Sequence, residues 1–184
     1  MRVALLEVDH WHVGMYVDAL RDLDDVDICA VSNADLDKAV AWGATLDRPA
    51  YASATELLDK EDVDFAFGFA PHHRMFELAQ LLVSRQQPFA MEKPMSLDAA
   101  ELAPLVPRIE ASGMFAGVAF VRRVGGYGGA LLRMRDELGD IHSFQGRFIG
   151  GPLERYVEDG CPWMLRREHA GGGCMVNFGT HFID

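Results

Sequence analysis

A chain of 184 residues with 49% hydrophobic side chains can bury a sizeable core and is too apolar to be disordered. Its 17 Lys and Arg stand against 28 Asp and Glu, and the formal charge of -11 argues against a nucleic-acid backbone or an anionic membrane surface as partner. No apolar run reaches the roughly 18 residues of a membrane span, and Glu7 breaks the N-terminal apolar stretch too early for a signal peptide, so a cytoplasmic location is expected. The three cysteines, Cys29, Cys161 and Cys174, are odd in number and widely spaced, which speaks against disulfides and a thiolate zinc site.

In chain order, Arg2 to Leu6 reads as a first strand and Val13 to Leu23 as a helix, with Val13, Val17 and Leu20 on one apolar face. Val26 to Val31 is a second strand. Ser32-Asn33-Ala34-Asp35 then supplies turn and cap chemistry for a helix from about Leu36 to Trp42. Thr55 to Leu58 is a helical turn. Val63 to Phe69 is a strand apolar at odd and even positions alike, hence covered on both faces. Pro71 stops it, and a helix from Arg74 to Arg85 follows. The next apolar run, Gln87 to Met91, ends abruptly in Glu92-Lys93-Pro94, so a buried strand delivers Lys93 to its carboxyl end, where open α/β sheets bind ligands. A helix from Leu97 to about Glu110 and a strand from Met114 to Val121 complete the alternation, which is the pattern of a parallel sheet with crossover helices.

The texture then changes. A Gly-rich turn at 125–129 leads to a helix from about Ala130 to Leu138 and an alternating strand from Ile141 to Phe148. A long loop from Ile149 to Ala170 precedes Gly171-Gly172-Gly173 and an apolar, helix-like segment in which nothing later in the sequence covers Met175, Phe178 and Phe182. Such a face invites association with another copy.

Glu92-Lys93-Pro94 after one strand, Arg122-Arg123 after the next, Leu138-Gly139-Asp140-Ile141, and Gly171-Gly172-Gly173 through Gly179-Thr180-His181-Phe182-Ile183-Asp184 resemble the glucose–fructose oxidoreductase, inositol dehydrogenase and MocA family in order and spacing. The resemblance implies a Rossmann-like doubly wound parallel sheet over residues 1–118 that binds NAD or NADP, followed over 119–184 by the incomplete start of an α/β substrate domain. It implies a hydride-transferring oxidoreductase acting on a sugar, polyol or related small molecule. Lys93 matches the lysine beside the nicotinamide, and His181 the general acid/base. Asn177 stands where many members carry an aspartate; an amide can orient a hydroxyl but cannot take its proton. Arg123 and Tyr127 are candidates to line the substrate cleft.

The cofactor loop departs from the family pattern. Where Gly-x-Gly-x-x-Gly lets backbone N–H groups reach a pyrophosphate, this chain has Glu7, Asp9 and His12, with Val8 and His10 between them. A carboxylate in contact with a diphosphate costs about 1 to 4 kcal/mol, depending on local dielectric. The ribose-binding acid is replaced by Asn33, which can still bond a hydroxyl and leaves NAD only slightly favoured over NADP. The loop Ala70-Pro71-His72 and Glu92 complete the expected cofactor contacts, and Met75 stands where a histidine is common. Two other readings stay open. One is a catalytically impaired family member that senses or scaffolds. The other is a metal-dependent hydrolase, because His10 and His12 resemble the His-x-His pair that begins amidohydrolase barrels, although such a barrel needs about 250 residues. On the oxidoreductase reading no metal is expected.

Overall fold

The computed structural model describes all 184 residues. Six strands form one sheet in the order β3-β2-β1-β4-β5-β6: β1 is Arg2–Leu6, β2 Asp27–Ser32, β3 Ala50–Tyr51, β4 Phe65–Gly68, β5 Phe89–Met91 and β6 Ala116–Val118. Every neighbouring pair is parallel. This is the Rossmann strand order, and its switch point falls between β1 and β4, from which the chain winds outward in opposite directions.

Helices cover both faces: α1 (Val13–Arg21), α2 (Leu36–Leu46), α3 (Ala54–Lys60), α4 (His72–Ser84), α5 (Ala99–Leu102) and α6 (Val106–Ser112). One core packs Leu6, Ala30, Leu57, Met75, Leu78, Leu82, Phe89 and Met91. The other packs Val3, Leu5, Val13, Val17, Leu20, Val31 and Phe69. Alternate residues of β1 thus serve opposite faces, as the period of two requires. Gly68 lets α4 lie close to the sheet, since a Cβ there would sit 3.0 Å from Leu78 Cδ2 and 3.1 Å from Met91 Cγ. Met75 is fully buried and serves this core rather than a ligand.

The structure differs from the expected elements in several places, among them the expected loop from Ile149 to Ala170, which carries short helical turns, and the strand expected to reach Val121, which ends at Val118. The two-residue strand β3 carries too short a pattern to be seen in the sequence. The helix expected from Leu97 to Glu110 is two helices, because Pro104 and Pro107 bring no N–H to a continuous ladder. The glycines at 125–129 do not make a separate turn: the helix α8 already begins at Gly126 and runs to Arg133 after a short α7 (Val121–Val124), and α9 (Arg135–Leu138) follows. Ile141 to Phe148 forms no strand, since an alternating segment needs a partner edge and none lies beside it.

Beyond α9 the chain holds only short helical pieces: α10 (Arg155–Glu158), a 3-10 turn (Pro162–Leu165), α11 (Arg167–Ala170), a π-helical turn (Met175–Gly179) and α12 (Thr180–Ile183). Residues 155–170 build a third small core from Tyr156, Cys161, Trp163, Met164 and Ala170, packed against Trp11 of the β1–α1 turn. Phe178 is partly covered by Phe148, the rings stacking 4.3 Å apart, whereas Met175 stays 70% exposed. No helix is long and apolar enough to cross a membrane.

Candidate active site

The β5 strand buries Phe89 and Met91 and carries Glu92 and Lys93 past its carboxyl end, where both are themselves buried. Lys93 is only 2% exposed, and its ammonium donates to the backbone carbonyl of Asn177 at 2.9 Å and to the Asn177 Oδ1. Burial lowers its pKa, and the charge of Glu92 opposes that shift. Two of the three ammonium donors are thus spent on one residue, and a third remains. Asn177 sits on the π-helical turn after the glycine tract, and its Nδ2 donates to the Tyr156 hydroxyl at 3.1 Å.

Glu92 accepts from His12 Nδ1 at 2.9 Å. Burial pushes its carboxyl up, but the hydrogen bond from His12 and the neighbouring His10, His12 and Lys93 outweigh it and hold the pKa down at about 2. The backbone N–H of His12 donates to His10 Nδ1 at 3.1 Å, which leaves the proton of a neutral His10 on Nε2. Burial lowers the His10 pKa well below the usual imidazole value. His10, His12 and Glu92 each offer a possible ligand atom within 4.8 Å of one another. His12 Nδ1 and Glu92 Oε1 are engaged with each other, and a cation at His10 Nδ1 would have to displace the His12 N–H, whereas His10 Nε2 has no partner.

The turn after β1 solves the problem that its acids pose. Glu7 adopts a φ of +54°, the left-handed geometry for which the family pattern uses its first glycine. Its buried carboxylate accepts from Ala34 N and Ala54 N, each at 3.2 Å, with Arg74 Nη1 3.4 Å away. Asp9 is ion-paired with Lys38. Neither acid is left unpaired against a diphosphate, so the expected repulsion is largely neutralised within the chain. Val8 is buried beside this turn, its N–H donating to Ser32 O at 3.0 Å.

Asn33 follows β2 directly, and its Oδ1 accepts from Asp35 N at 2.7 Å. Ala70, Pro71 and His72 follow β4 and are buried. His72 Nδ1 donates to Ala170 O at 3.1 Å, which leaves its Nε2 as an acceptor; burial lowers its pKa to about 4, with the Ala170 hydrogen bond opposing. The His10 and His72 rings, one from each side of the switch point, lie 6.4 Å apart. His181 on α12 has a lowered pKa, chiefly through burial and then through the charges of Lys93 and Arg122.

Four buried side-chain polar atoms have no hydrogen-bond partner: His10 Nε2, Asn33 Nδ2, His72 Nε2 and His181 Nδ1. All four belong to residues expected from the sequence to meet cofactor or substrate. Arg123 and Tyr127 are not drawn in: the guanidinium is held by Asp184 at 2.7 to 2.8 Å, and Tyr127 is 59% exposed. Sequence reasoning missed Tyr156 and Trp163. Trp163 Nε1 donates to Asp9 O at 3.0 Å, so residues 155–170 lie across the β1–α1 turn. Two aromatics, Tyr156 and Trp163, in a stretch rich in charge were the available signal.

The sequence matches, over residues 12–120, the model of the Gfo/Idh/MocA family, described as an oxidoreductase family with an NAD-binding Rossmann fold. A protein named as a UDP-kanosamine synthase oxidoreductase subunit, from Amycolatopsis mediterranei, is 31% identical over 170 residues, covering 92% of this chain and 46% of that protein. A solved structure described as a myo-inositol dehydrogenase from Sinorhizobium meliloti superposes with a TM-score of 0.74 at 18% identity, over 99% of this chain and 53% of the other. GenD2 from gentamicin A biosynthesis, solved with NAD, does so with a TM-score of 0.78 at 16% identity, over 100% and 51%. This chain therefore spans about half the length of these relatives. The family match and the 31% identical relative set it among oxidoreductases rather than metal hydrolases: the chain belongs to the Gfo/Idh/MocA oxidoreductase family.

Proposed function

We propose that the chain binds a nicotinamide dinucleotide along the carboxyl ends of β1, β2, β4 and β5 and supports hydride transfer to or from a sugar, polyol or related small molecule. The observation that carries this reading is the set of unpartnered buried atoms on His10, Asn33, His72 and His181. Buried polar groups without partners are rare and call for a ligand or an ordered water. Neutral His10 and Asn33 present N–H donors and His72 an acceptor, a mixture that suits ribose hydroxyls, phosphate oxygens and a carboxamide. Lys38, on the helix after Asn33, is spent on Asp9 rather than free for a 2′-phosphate, which supports NAD over NADP.

When bound, the nicotinamide accepts or supplies the hydride. The chain's own residues handle the proton and the geometry. Lys93, held by Asn177, keeps one N–H for a substrate oxygen. His181, with its depressed pKa, is neutral at pH 7 and able to take a hydroxyl proton, which the amide of Asn177 cannot do. Residues 119–184 are read as the opening of the substrate domain. The relatives support the substrate class: one bears the name of a UDP-kanosamine synthase subunit, and a Chromobacterium violaceum WlbA dehydrogenase was solved with NADH and UDP-GlcNAcA.

Titration of the purified chain with NADH and NADPH, followed by tryptophan quenching and energy transfer, tests the proposal. Saturable binding that weakens on Asn33→Ala supports it, and no binding at millimolar cofactor overturns it.

A further inference from the structure

Lys93 is held by more than Asn177. The Tyr156 hydroxyl accepts from Asn177 Nδ2 at 3.1 Å and from Arg155 Nη2 at 3.0 Å. Arg155 is itself fixed, since its Nη1 donates to Gly150 O and its guanidinium lies 4.8 Å from the Tyr156 ring centroid and 5.8 Å from that of Phe178. An unconstrained amide can turn either end toward a neighbour. Here the nitrogen end faces an oxygen that already receives a donor from Arg155, so the oxygen end faces the ammonium. Tyr156, Asn177 and Lys93 are all buried, and no solvent competes for these bonds.

We propose that Tyr156, anchored by Arg155, is a positioning residue that fixes the Asn177 amide and through it the donor geometry of Lys93. The inference rests on the role given to Lys93 above. Its physical content is that a residue outside the sheet, on the segment crossing the β1–α1 turn, sets the orientation of a group at the end of β5. The Lys93 ammonium has two acceptors, and both belong to Asn177. Freeing the amide removes one of them, and the charged form of the lysine loses part of its support.

The test uses the full chain without cofactor or substrate, so it stands apart from whether a dinucleotide binds. Protein labelled with 13C-lysine is titrated, and Lys93 is assigned by its loss in Lys93→Met. In Tyr156→Phe the Lys93 midpoint is expected to fall by about one pH unit, the scale of one hydrogen bond to a charged group. Asn177→Ala is expected to lower it as well, and adding Tyr156→Phe to Asn177→Ala to change it no further. That lack of additivity distinguishes positioning through the amide from general loosening. An unchanged midpoint in Tyr156→Phe, or an equal further shift in the Asn177→Ala background, overturns the proposal. Should Tyr156→Phe not fold, Arg155→Met removes the anchor of the hydroxyl together with the bond to Gly150 O, leaves Tyr156 and Asn177 in place and carries the same expected direction; an unchanged Lys93 titration there overturns it equally.

Discussion

His12 Nδ1 lies 2.9 Å from Glu92 Oε1, so the residue just before α1 is tied to the residue just after β5 across the mouth of the sheet. The bond depends on an ionised carboxylate whose pKa is held down at about 2, against a reference of 4.5. A depressed acid stabilises the fold above its unfolded pKa and loses that contribution as pH falls through the folded one. The contribution is on the order of 3 kcal/mol, lost between about pH 4.5 and pH 2. Urea unfolding across that window is expected to show the loss in the native chain and a flatter profile in Glu92→Gln.

His72 acts at higher pH. Burial holds it neutral in the fold down to about 4, while the unfolded chain protonates near 6.5. The unfolded state therefore binds more protons between these values, and stability falls as pH drops from 6.5 toward 4, by about 3 kcal/mol in all. In His72→Gln the unfolding midpoint is expected to lose part of its slope in this range, the remainder coming from His10 and His181, whose pKa values burial also lowers; a slope unchanged from the native chain would assign the acid sensitivity to those residues.

The pairing of Asp9 with Lys38 makes a prediction about affinity. Lys38→Met leaves Asp9 unneutralised at the turn expected to face the diphosphate, and NADH binding should weaken about 3- to 10-fold. Asp9→Asn should change it in the opposite direction. Calorimetric titration of both variants at low and high salt provides the check, with the difference shrinking as salt rises.

Glu7 stands where the family pattern has its first glycine, and its substitution by glycine is expected to destabilise. Glycine relieves a left-handed backbone worth roughly 1 kcal/mol. It also removes the acceptor of two backbone N–H groups and the partner of Arg74, a loss of about 2 to 4 kcal/mol. Thermal unfolding should show a lower midpoint for Glu7→Gly, and a higher one would mean that strain dominates.

The parallel sheet was legible because alternating apolar runs and helical segments follow from local chemistry, and the place of Lys93 was legible because an apolar run that stops at acid, base and proline reads as a strand delivering the lysine to its carboxyl end. The turn after β1 was harder. Glu7 and Asp9 read as repulsive from the sequence because their partners, Arg74 and Lys38, arrive from α4 and α2, and no local rule reveals that pairing. The strand expected at Ile141 to Phe148 shows the converse, since alternation supplies a face but not the neighbouring edge that makes a strand. Tyr156 and Trp163 lay in what read as loop, and only the tertiary fold brings them onto Asn177 and Asp9.

The segment bearing Trp163 fastens to the rim of the sheet at separate points: Trp163 to Asp9 O, Ala170 O to His72, and Gly160 O to Lys38. Two of those rim residues, Asp9 and His72, are ones that the dinucleotide is expected to meet, and Lys38 is the ion-pair partner of Asp9. Loading is then expected to be a two-step event in which this crosspiece loosens before the guest settles. The observed association rate should climb with NADH and level off at a ceiling set by the protein, and Trp163→Phe, which gives up one fastening, should raise that ceiling.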